Sequence, residues 1–137
     1  MIKLKRAYDP PARSDGMRIL VDRLWPRGLR REDVRIDMWS KDIAPSDDLR
    51  KRFHRDPDAW QAFRKRYFAE LDGKSDAVAV IVKIARKRTI TLVYASKEEI
   101  QNNAAALKDY LEARMAASAI SNSFSAMPLA FISLVIR

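Results

Sequence analysis

An α/β fold, with a small, mainly parallel sheet covered by helices in a Rossmann-like three-layer arrangement, is the expectation raised by three features of this sequence. Two short runs, Met17-Arg-Ile-Leu-Val-Asp22 and Thr89-Ile-Thr-Leu-Val-Tyr94, are nearly continuous in apolar and β-branched residues, the habit of parallel strands buried on both faces. Between them lie amphipathic segments at helical spacing. Both runs also end at polar groups, and in open parallel sheets ligands bind beyond the carboxyl ends of the strands.

Each element has its own local cause. Ile2 and Leu4 alternate with Lys3 and Lys5, a period of two that marks a short edge strand. Tyr8-Asp-Pro-Pro11 stops it, because proline lacks a donor and fixes φ. A turn at Asp15-Gly16 leads into the second strand, which closes on Asp22-Arg23. Ser46 is placed to cap a short helix bearing Leu49 and Phe53. Asp56-Pro57 reads as a cap followed by a proline in the first helical position; Trp60, Phe63, Tyr67, Phe68 and Leu71 follow at helical spacing, and Gly73 ends the run. Ser75 opens a further helix with Val78, Ile81 and Ile84 on its apolar stripe. After the third strand, Ser96 with Glu99 three residues later forms a capping box for a helix through Ile100, Leu107 and Leu111.

This divides the chain into one α/β domain over residues 1–114 and a C-terminal extension over residues 115–137, rich in Ala and Ser and then apolar. The final run, AMPLAFISLVI, fits an added strand, an oligomer contact or an aggregation-prone tail. Its 11 apolar-rich residues, broken by Pro128, fall short of the about 20 that a membrane-spanning helix needs. The basic start, Met1-Ile-Lys-Leu-Lys-Arg6, has no apolar stretch behind it as a secretory signal would. A cytoplasmic protein without a membrane partner is the expectation.

The 137 residues, 47% hydrophobic and 33% charged, suit one globular unit rather than a disordered chain. Zero cysteines and one histidine remove disulfide scaffolds, thiolate catalysis and zinc ribbons from consideration, and no metal site is expected. The net charge of +9 is concentrated: residues 1–93 hold 23 bases and 14 acids, whereas residues 94–137 hold four of each. Such a field favours phosphates, nucleic acids or other anions as partners, and is also compatible with nothing more than a soluble basic surface.

If the second and third strands are parallel neighbours, Asp22-Arg23 and Tyr94-Ala-Ser-Lys97 share one cleft. Arg23 and Arg27 offer guanidinium forks to a phosphate or carboxylate. Lys97 falls in the first turn of the expected helix, whose free N–H groups also favour an anion. Asp22 and Asp42 are the carboxylates available as general base or acid, with a structural pairing to neighbouring arginines as the plainer alternative. His54, among Arg52, Arg55 and Asp56, reads as an exposed or capping side chain. Asn102-Asn103 falls inside the expected helix, where a hydrogen-bonding duty and a solvated face are both open. Trp25 and Trp39 flank Arg27, Arg30, Arg31 and Arg35, a mixture found on single-stranded nucleic-acid surfaces, although Trp25-Pro26 also suits a packed corner.

Taken together, Tyr8-Asp-Pro-Pro11, Asp15-Gly16, Leu20-Val-Asp-Arg-Leu-Trp-Pro-Arg-Gly28, Trp39, Lys41-Asp-Ile-Ala-Pro-Ser46, Asp56-Pro57, Trp60, Phe63-Arg64, Tyr67, Leu92-Val-Tyr-Ala-Ser-Lys97 and Asn102-Asn103-Ala104 resemble the YeaO-like family, also called domain of unknown function four-eight-eight. The likeness spans about residues 3–112, with D-R-L-W-P-R-G as its most specific string. It implies a small α/β fold of bacterial or archaeal cytosolic origin, and no established reaction, substrate or cofactor. The family's motif residues fall on Asp22, Arg23, Trp25, Arg27, Gly28, Lys41, Asp42, Tyr94, Lys97 and Asn102. A histidine commonly precedes the paired asparagine in that family; Gln101 stands here, which removes the imidazole that a proton transfer there would use.

The functional expectation is a small anionic, phosphate-bearing ligand held in a cleft at the carboxyl ends of the strands, with or without turnover. Arg23, Arg27 and Lys97 would hold the anion, Tyr94 and Asn102 would orient it, and Asp22 or Asp42 would handle a proton. The cofactor is unknown. The alternatives are a nucleic-acid-binding module using the basic segment from Arg27 to Arg35, and a non-catalytic subunit whose C-terminal tail docks on a partner or a second copy.

Overall fold

The computed structural model describes residues 1–56 and 58–126, with side chains described through residue 117. Pro57 and residues 127–137, which hold most of the apolar terminal run, lie outside the described residues, and with them the expectations placed on the helix-starting proline and on the tail.

Four strands, β1 (Ile2–Arg6), β2 (Met17–Leu20), β3 (Met38–Trp39) and β4 (Ile90–Tyr94), form one sheet in the order β1-β4-β2-β3. Every pairing is parallel: β1 with β4 from Ile2↔Ile90 to Arg6↔Tyr94, β4 with β2 from Met17↔Ile90 to Leu20↔Val93, and β2 with β3 at Leu20↔Trp39. The chain therefore crosses from the β1 edge over β4 to reach β2, and returns to fill the gap only after four helices. These are α1 (Arg31–Val34), α2 (Asp47–Arg55), α3 (Trp60–Asp72) and α4 (Ser75–Lys87); α5 (Asn103–Ala126) follows β4.

Period-two alternation assigns the faces. Ile19, Val21, Ile90, Leu92 and Tyr94 join one core with Leu49 of α2, Phe63, Tyr67 and Leu71 of α3, Val78 and Ile81 of α4, and Leu107 and Leu111 of α5. Their neighbours Leu20 and Val93 point the other way and pack with Val34 of α1, Trp25, Leu29, Ile36 and Trp39. Helices on one side, the sheet, and a thinner layer of α1 with its flanking loops make the three-layer α/β arrangement.

The helix starts correct three expectations. Ser46 does cap α2, its hydroxyl accepting the Leu49 N–H at 3.2 Å. Asp56 is the C-terminal cap of α2 instead of the start of the next helix, and α3 opens at Trp60 without a side-chain cap. Ser96 and Glu99 form no capping box: Ser96 accepts from Glu98 two residues on, and Glu98 in turn accepts from Ile100 and Gln101. Asn102 caps α5 instead, accepting the Ala105 N–H at 2.8 Å while its own amide donates to the Glu98 carbonyl. Lys97 consequently stands in a loop and not in a helical first turn. The short α1 and β3 had no sequence expectation.

At the amino ends of the strands, Asp15 and Arg18 are both 3% exposed and pair at 2.7 Å. Lys5 and the Ala12 N–H also donate to the Asp15 carboxylate, and Thr91 Oγ1 donates to its carbonyl at 2.6 Å. This cluster locks the turn before β2 to β1 and β4. No helix among the described residues is long and apolar enough to cross a membrane.

Candidate functional site

The parallel pairing of β2 with β4 brings Asp22 beside Ala95, as the shared strand ends required. The carboxylate, however, closes this junction rather than opening into it. One oxygen accepts the Ala95 N–H at 2.8 Å, the other accepts Asn103 Nδ2 at 3.0 Å, and the Asp22 carbonyl accepts the Trp39 indole N–H at 2.8 Å. Burial pushes the Asp22 carboxyl up, and the bonds from Asn103 and Ala95 pull it only part of the way back. No arginine or lysine pairs with it among the described residues. Tyr67 packs beneath, its hydroxyl donating to the Ile43 carbonyl at 2.6 Å. Burial first, and then the negative charges of Asp22 and Glu70, raise that phenol far above its ordinary range.

Asn103 is the residue that sequence reasoning left out of the site. It serves Asp22 and the Val21 carbonyl together, and the paired asparagines divide the work between capping α5 and tying it to β2. The exposed Gln101 before them contributes its backbone N–H to Glu98.

The open cleft lies one strand further along. It has a volume of about 710 Å³ and is lined by Arg23 beyond β2, Asp42 beyond β3, and the α3–α4 turn with Lys74, Ser75 and Asp76. The Arg23 guanidinium is only loosely engaged: Nη2 donates to the Pro45 carbonyl at 3.4 Å, Asp47 lies 3.9 Å from Nε, and Nε is buried without a hydrogen-bond partner among the described residues. Lys74 uses one of its three donors on the Ala44 carbonyl. α4 begins at Ser75 with no side chain capping its first turn, so that turn keeps donors and a partial positive charge. The wall is held in place by Glu70, whose two oxygens accept the Ser46 N–H and hydroxyl at 2.9 and 2.6 Å. Two cations and two carboxylates thus face the same space.

The remaining expected residues do not line this cleft. Trp25 donates its indole N–H to the Leu29 carbonyl and meets Trp39 edge-on at 5.5 Å, the packed corner and not a stacking platform. Lys41 lies 4.0 Å over the Trp39 ring. Arg27 is exposed, with its carbonyl accepting the Tyr8 hydroxyl, and Gly28 beside it takes φ +80° in open space. Tyr94 is buried at the end of β4, Lys97 is exposed, and Asn102 is spent on the cap. No signal in the sequence marks Lys74 and Asp76, since a tight turn between helices carries no motif for the cleft it faces. No three His, Cys, Asp or Glu among the described residues are grouped to hold a metal ion.

Residues 1–131 match the family model described as the inactive DUF488-N3 subclade. This chain belongs to that family. It is 46% identical over 110 residues to the uncharacterized protein YeaO of Escherichia coli, a match covering 80% of this chain and 96% of YeaO. It is 37% identical over 113 residues to uncharacterized proteins of Mycobacterium bovis and Mycobacterium tuberculosis, covering 82% of this chain and 95% of each. No solved structure matches. Within this YeaO-like chain, the D-R-L-W-P-R-G string supplies both the Asp22 junction and the Arg23 cleft wall.

Proposed function

We propose that this YeaO-like protein binds, without turning over, a small ligand that carries a phosphate or similar anion together with hydroxyl groups. The observation that carries the reading is the loosely held Arg23 guanidinium lining the cleft beyond β2 and β3. A phosphate placed there gains charge-assisted bonds from Arg23 and Lys74 and the favourable field of the α4 amino end. Asp42 and Asp76 then face the ligand as acceptors for hydroxyls.

Those carboxylates also favour a small ligand over a polyanion, because a nucleic-acid backbone would bring repeated charge against them. The packing of Trp25 on Trp39 removes the stacking surface that a single strand would use. Binding without turnover is supported by the subclade's description as inactive and by Asp22, whose two oxygens already serve Ala95 and Asn103. A cytoplasmic location belongs to the same proposal.

The test is a thermal-shift and calorimetric panel with inorganic phosphate, a hexose phosphate, a nucleoside monophosphate and a short oligonucleotide. A small phosphate ester should stabilise the protein, and Arg23→Ala should weaken that binding about tenfold or more, which is about 1.4 kcal/mol. Stabilisation by the oligonucleotide alone, erased by moderate salt, would replace this reading with the nucleic-acid one. Unchanged ester binding in a folded Arg23→Ala variant would remove the cleft as the site.

A further inference from the structure

The two edges of the sheet are finished differently. β3 is two residues long, which leaves little to pair with, whereas β1 runs for five, and its residues 3–6 are all partly exposed beside a fully buried β4. The bonds that bracket the β1–β4 ladder fix which groups β1 has already spent: the Ile90 N–H donates to the Met1 carbonyl at 3.0 Å and the Ala7 N–H to the Tyr94 carbonyl at 2.7 Å. Odd-numbered residues therefore bond β4, and Ile2, Leu4 and Arg6 turn their N–H and C=O groups outward. Among the described residues only one of those groups has a backbone partner, the Arg6 carbonyl, which accepts the Asp9 N–H at 3.1 Å.

Side chains decide what such an edge can receive. Lys3 and Lys5 project from the face of β1 opposite to Leu4. Asp15 is shared there between Lys5 and the buried Arg18, while Lys3 finds only the Ser14 carbonyl at 2.8 Å. Residues 1–18 hold five bases and two acids, so the edge keeps a positive excess. A second copy is badly matched to it: antiparallel pairing of two chains about Leu4 would set Lys3 of one against Lys5 of the other, and like charges directly opposite destabilise a ladder. Lysine on an open edge guards against self-association in this way. It does not guard against a strand of opposite charge.

We infer that the outer edge of β1 receives an extended segment of a partner protein, with acidic and apolar residues in alternation, as a fifth strand of the sheet. The backbone groups of Leu4 lie at the centre of the added ladder. Alternation sends the partner's acids to the face of Lys3 and Lys5 and its apolar residues to the face of Leu4. Main-chain bonds supply affinity in such an addition, and the alternate side chains supply specificity.

Fluorescence anisotropy with labelled hexapeptides, titrated with the full chain, is the test. A peptide alternating Glu and Val should bind about tenfold or more tightly than one alternating Lys and Val, and than a scrambled peptide of the same composition. Equal binding of the scrambled peptide would reduce the effect to attraction by the net charge of +9 and overturn the inference. Lys3→Glu, shown to be folded by circular dichroism, should weaken binding of the Glu/Val peptide about tenfold. The ladder is tested on the peptide, which leaves the protein unaltered: N-methylation of the valines should abolish binding of an antiparallel strand, and N-methylation of the glutamates that of a parallel one. Binding indifferent to both methylations, or to Lys3→Glu, would overturn the inference. A concentration-dependent dimer in sedimentation equilibrium, with no peptide binding, would assign the edge to a second copy and overturn it as well.

Discussion

Replacing Asp22 should weaken the fold while leaving the Arg23 cleft able to bind. In Asp22→Ala the Ala95 N–H loses its acceptor, whereas Asn103 Nδ2 keeps the Val21 carbonyl at 3.2 Å. One stranded, half-buried donor costs about 1–3 kcal/mol, and relief from partly burying a carboxylate returns part of that, so a net loss of about 1–2 kcal/mol is expected. For a domain of this size each kcal/mol is worth about 3–5 °C, giving a melting temperature lower by about 3–10 °C. Asp22→Asn retains one carbonyl oxygen for Ala95 and should lose about half as much. The pH dependence distinguishes this carboxylate from an ordinary salt-bridged one. Because its pKa is raised above 3.8 in the fold, the folded state binds the extra proton between the two values. Its contribution therefore grows as pH falls through the raised pKa, is complete below 3.8, and is smallest at neutral pH. Thermal melts of wild type and Asp22→Ala across this range should show the gap widening toward acid. A gap that closes on acidification, or an unaltered melting temperature at neutral pH, would refute the account of Asp22 as a half-buried cross-link.

Asp15 should show the opposite sign. Burial alone would raise its carboxyl, but the bonds from Lys5, the Ala12 N–H and Arg18, with the Lys5 charge, hold it below 3.8. Its stabilisation is therefore complete above 3.8 and lost as pH falls through the depressed value, and denaturant unfolding of Asp15→Ala should show a loss of about 3–5 kcal/mol at neutral pH because Arg18 stays buried with only the Val34 carbonyl. Gly16→Ala and Gly28→Ala should differ although both glycines have positive φ. A Cβ on Gly16 would stand 2.1 Å from the Thr89 carbonyl oxygen, against nothing within 4 Å at Gly28, so losses of about 3 kcal/mol or more and about 1 kcal/mol are expected from urea midpoints. Ser46→Ala should cost about 1–2 kcal/mol, since the hydroxyl both caps α2 and donates to Glu70.

The buried strands were legible because β2 and β4 carry their burial in composition, and their shared direction followed from being apolar on both faces. β3 and α1 were not, for a physical reason. Two residues of strand and four of uncapped helix hold no periodicity to read, and their places are set by Trp39 reaching the Asp22 carbonyl and by Val34 packing under Leu20. The start of α5 was misplaced because Ser96 and Asn102 both have capping side chains. Only burial of the Asn102 amide against the Glu98 carbonyl decides between them. The site divides in the same way. Arg23 was recognisable as a residue following a strand and Asp42 only as a carboxylate available for proton transfer, whereas Lys74 and Asp76 reach the cleft through a helix–helix turn whose placement is a tertiary event.

The position of Asp22 explains why a ligand site would move toward the outer pair of strands. In a parallel sheet the carboxyl ends of the two central strands are the usual opening, yet here that opening is crossed by the bonds from Ala95 and Asn103 to one carboxylate. Sequence neighbours then part company: Asp22 turns inward and is consumed by the fold, while the Arg23 side chain is partly exposed and its Nη2 makes only a 3.4 Å bond to the Pro45 carbonyl. A carboxylate held in that way is poorly placed to serve a substrate, because its two oxygens are already occupied by the Ala95 N–H and the Asn103 amide. Binding could survive where proton transfer could not, and the loose guanidinium next door has the chemistry to retain it.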